Sequence, residues 1–299
     1  MSTVSEPSGG TGQNVEIVRP ERRTVPLVFA SPHSGRNYPA DFVAASALDP
    51  VALRRSEDSF VDELFAAAPE FGAPLLKALF PRAFIDPNRE PFELDPAMFV
   101  DELPSYANSQ SSRVAAGLGT IPKVVSNGRE IYRAKLTFAE AAKRINVYYR
   151  PYHKALTALI DETVELFGFC VLIDCHSMPS VGGPLDPDAG RGRADFVLGD
   201  SFGNACEDRV TATVEHALRV QGHSVIRNKP FAGGFTTRHY GKPSTGVHAL
   251  QIEINRALYM DELNIERRDG IHRLTEQMVD VIVALTGLSG LGGLDLAAE

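Results

Sequence analysis

Phe169-Cys170-Val171-Leu172-Ile173-Asp174-Cys175-His176-Ser177 reads as a buried strand that runs out onto chemistry. Its first five residues form one continuous apolar run, the pattern of a strand covered on both faces. A second phrase has the same build. The apolar run 25–30 leads into Ser31-Pro32-His33-Ser34-Gly35. In open α/β sheets, ligands bind beyond the carboxyl ends of the strands. One histidine in such a place carries little weight, because most single histidines are satisfied core or surface residues. Two in the same context point to a metal site assembled from separate strand ends.

Strand and helix patterns alternate outward from these phrases. Residues 50–68 carry Phe60, Val61, Leu64 and Phe65 at three- and four-residue spacing, which predicts a helix. Strands are expected at 73–79 and 83–85. Residues 90–130, rich in Pro, Ser and Gly, read as a long excursion over a site. A long helix is expected over 137–167, with Pro151 kinking or breaking it. Residues 178–194 and 231–247 read as loops. Strands are expected at 194–198, 224–226 and 249–254, and helices at 204–220 and 265–285. The alternation argues for one α/β domain, a mixed and mostly parallel sheet covered by helices. The expected organisation is a disordered arm over 1–20, a catalytic domain over 21–286 and a flexible tail over 287–299.

Composition narrows the function. The net charge is −8 and no Lys/Arg run is visible, so nucleic acid is not an expected partner. No apolar stretch approaches the ~20 residues of a membrane span, and the N-terminus has no apolar signal segment. Three cysteines, Cys170, Cys175 and Cys206, make no disulfide framework and fit a reducing compartment, so a cytoplasmic location is expected. The oligomeric state cannot be read from these features.

A catalytic zinc takes three protein ligands and one water. His33 and His176 supply two. The third is sought at Glu57 or Asp58. Helical phase places Glu57 on the inward face with Phe60 and Val61, so Glu57 is favoured and Asp58 kept as the alternative. In Gln251-Ile252-Glu253-Ile254-Asn255-Arg256, period-two alternation puts Gln251, Glu253 and Asn255 on one polar face. Partial burial would raise the pKa of Glu253 and suit it to act as general base. Arg82, Arg89, Arg191, Arg193 and Arg238 lie in loops that could reach this place, and arginine grips carboxylates with paired hydrogen bonds. The glycine-bearing loop 231–241 allows close backbone approach at Gly234, with Thr237 and Arg238 as polar contacts. Ser34 and Ser177 are expected to support the histidines rather than to act as nucleophiles.

These phrases carry a resemblance. Ser31-Pro32-His33-Ser34-Gly35, Asp174-Cys175-His176-Ser177, the run 193–200 and the stretch 228–260 resemble the N-formylglutamate amidohydrolase family, over roughly residues 25–285. The family is similar in fold to zinc carboxypeptidases and aspartoacylase-like deacylases. The resemblance implies one Zn2+ per chain and a small anionic N-acyl amino acid as substrate. It matches His33 and His176 to metal histidines and Glu253 to the catalytic carboxylate. Asn88-Arg89 resembles the Asn-Arg pair that contacts substrate in the carboxypeptidase relatives. Arg89 is also a candidate for stabilising the oxyanion, and Arg193, Arg238, Gly234 and Thr237 for binding substrate. Carboxypeptidase relatives have a Glu three residues after the first metal histidine, where this chain has Arg36, so Glu57 and Asp58 both stay open. The expected reaction is hydrolysis of N-formyl-L-glutamate to formate and L-glutamate, the end of histidine degradation. Another N-acyl amino acid is the alternative substrate, and a zinc-binding protein without turnover is the alternative of another class.

Overall fold

The computed structural model describes residues 14–184 and 186–288. Seven strands form one sheet: β1 (Val15–Val18), β2 (Leu27–Ser31), β3 (Leu75–Ala78), β4 (Cys170–Met178), β5 (Phe196–Gly199), β6 (Val225–Arg227) and β7 (Val247–Asn255). Their order is β1-β3-β2-β4-β7-β5-β6. β2 pairs in parallel with β3 and β4, β4 with β7, and β5 with β6, while β1 on β3 and β5 on β7 are antiparallel. The sheet is thus mixed and mostly parallel, as the alternation predicts.

The two faces of β4 are buried under different layers. Val171, Ile173 and Cys175 pack with Leu250, Ile252 and Ile254 of β7 into a core that includes Val210, Val214, Met278 and Ile282. Those last four come from helices Asp208–Val220 and Gly270–Thr286. Cys170, Leu172 and Ala249 face the other layer, with Tyr152, Leu156 and Leu159 of helix Arg150–Phe167. Further along that second face the side chains turn polar, at Asp174 and His176 on β4 and at Gln251 and Glu253 on β7. Because the strands are parallel and in register, Asp174 pairs with Gln251 and His176 with Glu253. Functional side chains therefore line up on one face by the period of two alone.

Five expectations on the chain path are corrected. Residues 231–247 are not loop throughout, since Phe235–Tyr240 forms a short helix. Residues 50–68 do not form one helix. Short helices Pro50–Leu53 and Val61–Leu64 flank a 3-10 turn, Arg54–Ser56, and the helix is broken by extended Glu57 (ψ 143°) and by Phe60 in the left-handed region (φ 68°). The apolar spacing there extends over only one turn. Residues 83–85 form a turn, not a strand. Pro151 neither breaks nor ends its helix. Phe138–Arg144 passes through a π turn, Ile145–Tyr149, into Arg150–Phe167. The proline falls at the start of that last segment, next to the register slip that absorbs its missing N–H. The expected arm over 1–20 reaches into the fold, because Val15–Val18 is the edge strand β1; residues 1–13, and 289–299 of the expected tail, lie outside the described residues.

Candidate active site

His33 lies two residues beyond the end of β2, and its position is set by backbone contacts. Gly35 lies so close to the neighbouring segment that an added Cβ would sit 2.2 Å from the Phe80 carbonyl oxygen. The Asp58 N–H donates to the His33 carbonyl at 3.1 Å. Ser34 Oγ donates to the Asp58 carbonyl at 2.8 Å, and Ser31 Oγ lies 2.8 Å from Ser34 Oγ. The break in the 50–68 segment thus delivers Asp58 to the histidine. Asp58 Oδ2 lies 3.2 Å from His33 Nδ1 and 3.0 Å from His176 Nδ1. Exposure is 1% for His33, 1% for Asp58 and 2% for His176.

Glu57, favoured as the acidic ligand, is not part of this group. Its carboxylate accepts from Tyr38 Oη at 2.6 Å, Ser59 Oγ at 2.8 Å and the Arg54 guanidinium at 3.0 Å. Helical phase misassigned it because no helix exists at 57–58. Asp58 is the acid that joins the histidines.

The group fits a small cation. The three ligand atoms lie within 4.8 Å of one another. Around tetrahedral zinc, with bonds of about 2.0–2.2 Å, neighbouring ligand atoms are about 3.3 Å apart. The outer nitrogens of both rings are backed by acids. His33 Nε2 lies 2.8 Å from Asp86 Oδ1, and His176 Nε2 lies 3.0 Å from Asp174 Oδ1. Apart from that contact, Asp174 Oδ1 is a buried acceptor without a hydrogen-bond partner among the described residues. A proton on His176 Nε2 would satisfy it and leave the Nδ1 lone pair for a metal, the carboxylate-backed arrangement of metal histidines.

The charges are strongly perturbed. Burial pushes Asp58 up, but hydrogen bonds from His176 and His33 outweigh it and hold the carboxyl well below its ordinary range. Asp86 is likewise penalised by burial and held low by Arg89, His33 and Arg82. Burial acts to lower His176, and Asp174 and Asp58 more than reverse that, so it is raised. Arg256 completes the cluster, donating to Asp58 Oδ1 at 3.0 Å and to Ser177 Oγ at 3.1 Å.

A cavity of about 460 Å³ opens on this group, lined among others by His33, Asp86, Asn88, Arg89, His176 and Glu253. Glu253 is 8% exposed and accepts from Gln251 Nε2 at 2.8 Å. Burial, with the charge of Asp58, pushes its carboxyl up to about 7 against the pull of His176. Asn88 is held by Thr236 and Asp174 and lies against the His176 ring. Its Oδ1 accepts from the Thr236 N–H at 2.8 Å, and its Nδ2 lies 3.1 Å from His176 Nε2 and 3.3 Å from Asp174 Oδ2. A Cβ on Gly234 would fall 2.3 Å from the Asn88 amide, so only glycine lets this loop rest there.

Other expected contacts fall elsewhere. Thr237 is fully buried and packs against Gly233, away from the lining. Arg238 is exposed, donates to the Gly233 carbonyl at 2.7 Å and is not among the lining residues. Arg193 reaches the cavity wall, but Asp186 at 2.6 Å and Asp188 at 2.8 Å already hold it. Sequence reasoning assigned no role to Asp86, Asp174, Gln251 or Arg256. Asp174 was within reach, since it lies two residues before His176 and shares its strand face.

Fold and site together define a class: α/β proteins with a buried His-Asp-His group, suited to a cation, at the carboxyl ends of central strands. The profile of the N-formylglutamate amidohydrolase family matches residues 25–260, and the chain belongs to that family of hydrolases. Two bacterial relatives called N-formylglutamate deformylase are similar to it. That of Pseudomonas aeruginosa is 31% identical over 83% of this chain and 86% of its own length, and that of Pseudomonas putida 29% identical over 80% and 83%. The crystal structure of an N-formylglutamate amidohydrolase from Ralstonia eutropha superposes with a TM-score of 0.82 at 39% identity, over 91% of this chain and 96% of the other.

Proposed function

We propose that this chain hydrolyses N-formyl-L-glutamate to formate and L-glutamate, using one zinc ion held by His33, Asp58 and His176. The observation that carries the reading is the register pair His176 and Glu253, which puts a carboxylate on the strand beside the His-Asp-His group and on the same face, where a general base is needed. The activity named for the relatives supplies the substrate. Bound zinc would polarise the formyl oxygen and make water a better nucleophile near neutral pH.

The chain's own residues do the rest. Glu253, raised to about 7, takes a proton from the attacking water and returns it to the departing amine nitrogen as the C–N bond breaks. Gln251 Nε2 donates to Glu253 Oε1 and fixes the carboxylate. Arg82 and Arg89 share Asp86 at 3.0 and 3.6 Å and place positive charge beside the developing oxyanion. Asp86 and Asp174 hold the two imidazoles in orientation. Asn88 and the Gly233-Gly234 backbone form one wall of the substrate space.

The test is release of the free amino acid from N-formyl, N-acetyl and N-succinyl derivatives of Glu, Asp and Gln, with formate measured for the N-formyl ones, before and after chelation and with zinc restored. Release from N-formylglutamate, abolished by chelator and recovered with zinc, is the expected result. Turnover unaffected by metal removal, or preference for another acyl group, would overturn the reading.

A further inference from the structure

Five arginines line the cavity: Arg82, Arg89, Arg113, Arg193 and Arg256. Four are already matched with carboxylates. Arg82 and Arg89 share Asp86, Arg193 holds Asp186 and Asp188, and Arg256 holds Asp58. The side chain of Arg113 makes no ion pair or hydrogen bond among the described residues. Its backbone is firmly placed. Ser111 Oγ accepts the Val114 N–H at 3.0 Å and caps the short helix Ser112–Ala115. The Leu118 N–H donates to the Arg113 carbonyl at 2.8 Å, and the Leu118 carbonyl accepts Arg89 Nε at 2.8 Å. Arg113 and Arg89 therefore flank one residue of the excursion. They differ in exposure. Arg89 is buried beside Asn88, which touches the His176 ring, whereas Arg113 is only partly buried and so reaches solvent.

The charge at Arg113 is poorly compensated. Burial lowers its pKa and Arg238 lowers it further, against the weaker opposing pull of Glu93 and Asp86. Glu93 is engaged by Ser111 Oγ, and Asp86 by His33 and Arg82. A partly desolvated cation in a cavity whose carboxylates are taken is set to meet an anion that the ligand brings.

We infer that Arg113 selects substrates with an acidic side chain by pairing with the carboxylate farthest from the scissile formyl group. This rests on the N-formyl amino acid reading above. With the formyl group at the histidines, the side-chain carboxylate is the charge that extends towards the mouth. The α-carboxylate stays nearer Arg89. The residue fixes specificity and takes no part in proton transfer.

The test is Arg113→Gln assayed on N-formyl-L-glutamate, on N-formyl-L-glutamine, which lacks the side-chain charge, and on the α-amide of N-formyl-L-glutamate, which lacks the other. A charge-assisted hydrogen bond lost from ground-state binding raises KM by about 10- to 100-fold. That rise is expected for the glutamate and its α-amide, with kcat nearly unchanged and the glutamine substrate unaffected. Arg113→Lys should recover part of the loss. Equal losses on glutamate and glutamine, a loss that follows the α-carboxylate, or no loss would overturn the inference. Calorimetric binding of glutarate to zinc-loaded protein separates this from failure of the proposed reaction. If wild type releases no formate from any substrate, the reaction is wrong, and equal glutarate affinity in wild type and Arg113→Gln still decides against Arg113.

Discussion

The floor and the outer wall of the cavity are built on opposite terms. On the floor, β4 and β7 present Asp174, His176, Gln251 and Glu253 in strict register, and Asp58 and Arg256 close the group, so most charges there face another at 3.0–3.2 Å. On the wall, the excursion is tied down through its backbone while the Arg113 side chain stays uncommitted. A network of matched charges holds reacting atoms still. A fixed backbone carrying one unmatched charge reads the ligand. The difference separates chemistry from recognition, and substitutions on the two sides should split between kcat and KM.

The largest effect is expected from the metal group. Asp58→Asn, like His33→Ala or His176→Ala, should release most of the zinc and nearly all activity, measured by metal content after desalting together with formate release. Glu57→Gln, one residue away but turned towards Arg54, Tyr38 and Ser59, should keep the metal. Zinc lost from Glu57→Gln and kept by Asp58→Asn would reverse the assignment. Next comes the base. Glu253→Gln should lower kcat by about 10²–10⁴ while zinc content and KM hold. A KM effect of equal size would erase the floor-and-wall distinction at its clearest point.

A smaller effect is expected beneath the wall, at His153. Its Nε2 donates to the Pro87 carbonyl at 2.8 Å, and Tyr240 Oη donates to its Nδ1 at 2.8 Å, which holds the turn carrying Asn88 and Arg89. Burial lowers its pKa to about 4, against an ordinary 6.5. The folded state therefore takes up the proton less readily than the unfolded chain. Its contribution to stability is complete above about pH 6.5 and is lost as the pH falls towards 4, by up to about 3 kcal/mol. Denaturation of wild type and His153→Gln across that range should show the slope flattened in the variant. The smallest effect belongs to Arg238. Arg238→Ala should change KM for N-formylglutamate less than about twofold, because its guanidinium serves the Gly233 carbonyl outside the lining. A tenfold rise would move the recognition site from Arg113 to Arg238.

The floor was legible in the sequence and most of the wall was not, for a physical reason. Strand faces repeat every two residues, so the alternation in 251–255 placed Gln251, Glu253 and Asn255 together, and the apolar runs before His33 and His176 placed both near strand ends. β4 continues through His176 as far as Met178, since the polar residues there still pair with β7. Asp58 was misjudged against Glu57 because a four-residue apolar spacing looks the same whether it spans one turn or five. Arg113 had no periodic neighbour to locate it. Its place depends on Glu93, Leu118 and Thr120, contacts of an irregular path that no local pattern encodes.

The nine-residue pairing of β4 with β7 runs straight through the reacting groups. Backbone amides around His176 and Glu253 belong to the centre of the sheet, the part of a protein that exchanges with solvent only when the whole domain opens. The wall lies outside that sheet, tied by turns and individual hydrogen bonds. The strand-borne half of the reaction centre is therefore as durable as the sheet itself, while the residue that chooses the substrate can be altered without disturbing it.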